Sequence, residues 1–270
     1  MRATRFRWAR LGMGVLLLAL YIFLYAPVFY VIYTSFAEDI VWPFPPSFSI
    51  VSYEDLFASS LYGAALWNSL TLAIGSAVMS TILATGGAIG ILRYRARWRG
   101  VALLLFLAPL FVADLLIGIS TLAFNARVLD LPGNIYSAIA ANAIPGTSFA
   151  FLIVLSQLVR YDWAMDDAAM VFGAGPFRCF LEITLPIIWP CIFGAFLISF
   201  ILAFNNLEIS FYNLGAIPTL PSVAWGSLRF GLGPELFALA AIVNFIVFAI
   251  FAIMYFLMRY RIVLFGYRGP

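Results

Sequence analysis

The chain has no histidine and no lysine, only two cysteines, and charged side chains at just 10% of its 270 positions. Each shortage excludes a class of chemistry. A phosphate-cradling P-loop depends on its lysine, so the chain cannot carry a Walker A motif of its own. Without histidine there is no Ser-His nucleophile pair, no imidazole general base and no histidine metal site. Cys179 and Cys191 cannot build a cysteine zinc cluster and read as unpaired filler. Enzymatic chemistry is disfavoured, and neither a metal nor a cofactor is expected in this chain. The net charge of +3 does not point to nucleic acid, because the arginines are spread along the chain as topological signals.

Apolar residues are abundant: they make up 64% of the chain, with a mean hydropathy of +1.04. No soluble domain could hide that much apolar surface. The expected class is all-α and polytopic, with runs of the required ~20 residues at about 11–36, 64–92, 100–124, 136–159, 187–213 and 236–258. The run from Leu11 to about Phe36 is too long for the core of a signal peptide, so Arg2, Arg5, Arg7 and Arg10 precede an uncleaved first helix. Arg93, Arg95, Arg97 and Arg99, then Arg160 and Arg178, then Arg259, Arg261 and Arg268 fall on the same side; only Arg127 and Arg229 fall on the other. The positive-inside rule places both termini in the cytoplasm, with six spans between them. The outer segments carry Glu38-Asp39, Trp42, Pro43, Pro45 and Pro46, then Pro218, Pro221, Trp225 and Pro234. They read as interfacial loops, and residues 1–270 as a single transmembrane domain.

One cytoplasmic segment, 160–186, is long enough to be an element in its own right. Asp162 is placed to cap a short helix running to about Phe172, with Asp166 and Asp167 near its positive end. Gly173 allows that helix to stop, Gly175-Pro176 opens a second one, and Leu185-Pro186 is read as the turn back into the membrane. Ala168, Ala169, Gly173 and Ala174 would let another protein approach the backbone closely. Trp163, Met165, Met170, Phe172 and Phe177 equally suit a helix lying on the lipid surface. Composition alone leaves both readings open.

The spacing Asp167-Ala168-Ala169-x3-Gly173-Ala174-x5-Phe180-x2-Ile183-x-Leu185-Pro186 resembles the EAA loop of ABC-importer permeases. Asn68-Ser69-Leu70, the stretch from Ser199-Phe200 to Ser210, and Pro234-Glu235-x2-Ala238-Leu239-Ala240 are similar to the second permease subunit of spermidine/putrescine importers. The resemblance covers roughly residues 60–260 and implies a MetI-like permease core in a multi-pass protein of the inner membrane. It also implies that 160–186 couples to an ATPase through Asp167, Ala168, Ala169, Gly173, Ala174, Leu185 and Pro186. The implied partners are a second permease subunit of a different chain, two ATPase subunits holding ATP and Mg, an extracytoplasmic solute-binding protein and the lipid bilayer. Asp167 stands where the family usually has glutamate, so the charge is kept on a shorter side chain.

Ionisable groups inside a bilayer are costly unless paired or facing water, which makes them functional candidates. Asp114 interrupts the third expected span after Pro109; Glu208 lies in the fifth beside Asn205 and Asn206. If that span is one helix, Asn205 and Glu208 share a face, and the four residues are the expected substrate pathway. The asparagines could instead bond neighbouring helices, the role expected of Asn244. The polyamine-type subunits resembled above typically carry an acidic pair where Asn205-Asn206 stands. That weakens a polycation as cargo, Glu208 partly restores it, and iron or a phosphonate-like anion stays open. A self-sufficient carrier or channel is the competing class; carriers usually show inverted repeats and discontinuous spans, and no convincing repeat is evident here. A cysteine at Ser47 is expected to react with an impermeant thiol reagent added outside sealed cells, and one at Arg97 is not; labelling at Arg97 would reverse the orientation.

Overall fold

The computed structural model describes residues 2–37, 48–93, 98–131, 133–230 and 234–259. Glu38, Asp39, Trp42, Pro43, Pro45, Pro46, Ser47, Arg95, Arg97, Arg261 and Arg268 lie outside the described residues, as do the side chains of residues 2–11, Pro234 and Arg259. The helices are α1 (Arg2–Thr34), α2 (Val51–Ala58), α3 (Ser60–Arg93), α4 (Arg99–Leu107), α5 (Asp114–Arg127) and α6 (Ile135–Leu158). They continue with α7 (Ala164–Val171), α8 (Pro176–Cys179), α9 (Leu185–Asn205), α10 (Glu208–Asn213), α11 (Leu220–Phe230) and α12 (Pro234–Arg259). Among the described residues the one β feature is a bridge between Ala37 and Phe48.

Among those residues, four helices are long and apolar enough to cross a membrane: Gly12–Thr34, Ser60–Arg93, Ile135–Leu158 and Pro176–Asn205. A fifth crossing is available if Arg99–Phe111 and Asp114–Arg127, bent by 107°, count as one span. The last expected span falls on α12, whose described apolar stretch is the shorter Glu235–Ala249.

Two expected continuous spans are broken. In the third, Ala108–Phe111 tightens into a 3₁₀ turn around Pro109, and Val112 and Ala113 are extended before Asp114 restarts the helix. Proline has no N–H to continue the ladder, and an acid is favoured in a helix's first turn. In the fifth, Asn206 is extended between the end of α9 and the start of α10. Asn205 and Glu208 therefore do not share a face of one helix. Leu185-Pro186 departs from expectation in the opposite direction. It lies within a continuous helical stretch from Pro176 to Asn205, carried through a π turn at Phe180–Thr184, and makes no re-entry turn.

By Cα proximity the chain divides into two compact units, Met1–Tyr62 with Ala224–Pro270, and Gly63–Val223. In the first, α1 and α2 pack on α12. Ser35 Oγ and Tyr53 OH are bonded at 2.7 Å, Phe36 stacks on Phe48, and Tyr62 OH donates to Glu235 Oε2 at 3.2 Å.

The second unit is organised by α3. Its buried positions include Ser69, Ala73, Ser76, Ala77, Ser80, Thr81, Ala84 and Ala88, a stripe of small residues at helical spacing. Lipid is as apolar as leucine, so small residues that bring backbones together are what hold such helices to their neighbours. The hydroxyls of Ser76 and Ser80 donate to the Ile139 and Ala143 carbonyls of α6, and Ser199 Oγ of α9 donates to Gly146 O. Such bonds contribute about 0.6 kcal/mol each on average within membranes. Below them Ala84, Ala88, Phe151, Val154, Leu158, Ile188 and Ala195 form the main apolar core, with Phe106 stacked on Phe151.

A β-carbon added at Gly118 of α5 would meet Glu208 O and Ile209 Cα of α10, both at 3.1 Å. Backbone cannot swing away as a side chain can, so Gly118→Leu is expected to cost roughly 1–3 kcal/mol of stability. Gly86 has open space around its Cα, and Gly86→Ala should leave stability unchanged or slightly raised. Denaturant unfolding of the two variants in detergent checks this.

Candidate functional site

Two places gather the polar chemistry, and α9 runs between them. At the first, the chain leaves α6 and turns through Tyr161 and Asp162. Asp162 Oδ1 accepts from the Ala164 N–H at 3.0 Å, the capping role expected of it. The first turn of α7 holds Asp166 and Asp167, and they are not equivalent. Asp166 is buried at 4% exposure and accepts from Tyr161 OH at 2.9 Å and from Thr184 Oγ1 at 3.2 Å. Asp167 is exposed and accepts from Arg93 Nη2 at 2.7 Å. The Arg93 guanidinium also lies 3.8 Å from Asp166 Oδ2 and 5.1 Å over the Trp163 ring. Burial is the main cause that pushes the Tyr161 hydroxyl up to about 12, so it stays protonated and donating across the physiological range.

Gly173 ends α7 with φ +91°, a conformation that L side chains rarely adopt. Its N–H bonds Met170 O at 3.0 Å and that of Ala174 bonds Ala169 O at 3.1 Å. This pair of bonds is the Schellman motif, and it accounts physically for glycine at that place in the spacing. Past it, Gly175 precedes α8, with Pro176 in the first turn. Ala168, Gly173 and Gly175 are exposed, and beside them Val171, Phe172 and Phe177 stand out at 85%, 91% and 75% exposure. The result is a small, ordered knob with an apolar rim. Leu185 and Pro186 are half-buried at the head of α9; Cys179 is buried under α7, with Sγ 3.9 Å from Asp166 O.

At the other end of α9 the two helix breaks meet. Asn206 Nδ2 donates to Asp114 Oδ2 at 2.8 Å, and Asn206 Oδ1 accepts from the Ile209 N–H at 2.8 Å. One amide thus holds the acid that starts α5 and caps α10. Glu208 is the exposed first residue of α10. Asn205, also exposed, donates to Ile201 O of its own helix. Asn244 likewise donates to its own helix, at Ala240 O, rather than bridging to a neighbour.

Asparagines that sequence reasoning passed over anchor this corner. Asn213 Nδ2 reaches Gly118 O, Thr121 Oγ1 and Ile209 O, and Asn142 Nδ2 reaches Ser210 Oγ. Amides inside apolar helices were the available signal, but only contacts across helices distinguish them from the others. Among the described residues no group of three or more His, Cys, Asp or Glu side chains could hold a metal.

No protein-family model matches the chain. Over 237 residues it is 31% identical to the putrescine transport system permease protein PotI of Escherichia coli (strain K12), covering 85% of this chain and 84% of that protein. The chain belongs to the ABC-importer permease family. The spermidine/putrescine transport system permease protein PotC of the same organism is 27% identical over 237 residues, covering 86% of this chain and 88% of that one. In structure, the permease is similar to a chain of a bacterial ABC transporter involved in the import of the acidic polysaccharide alginate. The TM-score is 0.74 at 17% identity, with 94% of this chain and 96% of that one covered. At that identity the likeness speaks for the fold alone. The permease is a transport component and a multi-pass protein of the inner membrane.

Removing the Asp166 carboxylate would strand the Tyr161 and Thr184 hydroxyls in a buried place. Asp166→Leu is expected to cost on the order of 3 kcal/mol, whereas Asp162→Ala, which loses only an exposed cap, should cost about 1 kcal/mol. Thermal unfolding in detergent compares them.

Proposed function

We propose that the chain is one of two permease subunits of an ATP-driven importer that carries a polyamine or a related organic cation into the cell. The observation that carries this reading is the pairing of a 31% identical relative named for putrescine with an acid–amide corner at two helix breaks. Putrescine brings two positive charges, and its passage through a low-dielectric interior requires carboxylates to balance them. Asp114 and Glu208 supply them. Asn206 engages one oxygen of Asp114 and so orients the carboxylate without neutralising it.

In this reading six spans and both termini in the cytoplasm place α7 and α8 on the cytoplasmic face of a single transmembrane domain. The knob with Ala168, Ala169, Gly173 and Ala174 along its spine seats in a cleft of an ATPase subunit, of which the assembly has two. ATP and Mg belong to those subunits. An extracytoplasmic binding protein delivers the solute to the interface between this permease and a second, different one, and ATP binding switches the pair between inward- and outward-facing states. The exposed Phe172 and Phe177 are the apolar side chains that such a cleft would cover.

The test is purification of the native complex through a tag on this chain, together with uptake of radiolabelled putrescine. An ATPase is expected to co-purify. Asp114→Asn and Glu208→Gln are each expected to cut uptake by at least about tenfold, the equivalent of ~1.4 kcal/mol, with the complex intact, and Asn205→Ala to leave it near wild type. Unchanged uptake in both acid variants would sink the cationic substrate and favour a neutral or anionic solute bound at the asparagine pair. Absence of an ATPase would sink the importer reading itself.

A further inference from the structure

Arg93 does more than its place at the end of a span requires. Orientation in the membrane asks only for positive charge near that end, and the exposed Arg99 also supplies it. Arg93 is instead folded down onto α7, with its side chain only 21% exposed. Nη2 donates to Asp167 Oδ1 at 2.7 Å and Nη1 to Trp163 O at 3.5 Å, Asp166 Oδ2 lies at 3.8 Å, and the guanidinium covers the Trp163 ring. A planar fork that bonds and stacks at once is an arginine property; lysine has neither the second donor in plane nor the flat face. The contacts continue into α9, since Asp166 also accepts from Thr184 in the π turn at its head. Three elements 74 and 18 residues apart in sequence are thereby tied at one point.

We propose that Arg93 is a positioning residue that latches α7 to the end of α3, so that a displacement of α7 moves α3 and α9 together. The inference rests on the reading that α7 and α8 seat in an ATPase. It assigns a second duty to Asp167. The acid is held from within its own chain by Arg93, yet at 63% side-chain exposure it stays accessible to a partner. Without the latch α7 can still enter the ATPase cleft, but it shifts against α3 rather than pulling it. ATP is then hydrolysed with less transport per turnover.

The experiment uses the purified complex in proteoliposomes with its binding protein, comparing Arg93→Gln, Arg93→Lys, Asp167→Asn and the double variant Arg93→Gln/Asp167→Asn. Putrescine uptake, ATP hydrolysis and ATPase retention are measured for each. Arg93→Gln and Asp167→Asn are each expected to lower uptake per ATP hydrolysed by roughly two- to thirtyfold, with the ATPase retained. Arg93→Lys should fall between Arg93→Gln and wild type. The double variant should be no worse than the poorer single, because both substitutions remove one interaction. Wild-type uptake per ATP in Arg93→Gln would overturn the latch, as would losses that multiply in the double variant, or loss of the ATPase from Arg93→Gln alone. A wild-type complex without any ATPase would defeat the docking reading instead.

Discussion

Inside a bilayer no water is available to a stranded N–H or carbonyl, so a helix can break only where the protein itself repairs the break. That constraint shapes the permease around Asn206. Its amide nitrogen holds Asp114 at the start of α5, and its oxygen takes the Ile209 N–H at the start of α10. Two helix starts are thus served by one side chain, and the acid that starts α5 is drawn to the same corner as the break between α9 and α10. Asn213 and Asn142 extend the repair toward Thr121 and Ser210. An alanine at position 206 would take a partner from the Asp114 carboxylate and from the Ile209 N–H at once.

The same solvent decides how the rest packs. Leucine and phenylalanine gain little by leaving lipid, and many of them remain exposed on this chain, Phe23 at 79% and Phe111 at 87% among them. What holds α3 to α6, and α6 to α9, is close approach along alanine, serine and glycine, with serine hydroxyls donating across to carbonyls. The larger apolar side chains gather where α4, α6 and α9 crowd together, near Phe106 and Phe151. There they fill the space that the small-residue seam leaves open.

At the head of α9 the requirement changes from apolar closeness to rigidity. The Schellman bonds at Gly173 and Ala174, the proline that opens α8 and the buried Asp166 each remove a way for this segment to give. From Thr184, bonded to Asp166, to Asn206, bonded to Asp114, α9 is a helix of 21 residues and thus about 30 Å long. One helix, with a hydrogen-bonded anchor near each end, thus joins the knob to the acid–amide corner.

Much of this was legible in the sequence because it is local. Apolar run length marked the long helices. Asp162, Gly173 and Gly175-Pro176 marked the ends of α7 and α8, because caps and left-handed turns are properties of a few adjacent residues. The rare acids and amides of the apolar runs drew attention to Asp114, Asn205, Asn206 and Glu208, of which Asn206 and Asp114 are bonded to each other. Sequence could not say that the apolar run from 187 to 213 breaks at Asn206, or that Leu185-Pro186 lies inside a helix rather than at a turn, because a helix start and a helix interior can share the same few residues. Nor could it separate Asp166 from Asp167. Which of two neighbouring acids is buried, and which meets Arg93, depends on a side chain 74 residues away, just as the meeting of Asn206 with Asp114 spans 92. Pairings across that distance are set by how the helices pack, and only the tertiary structure holds that information.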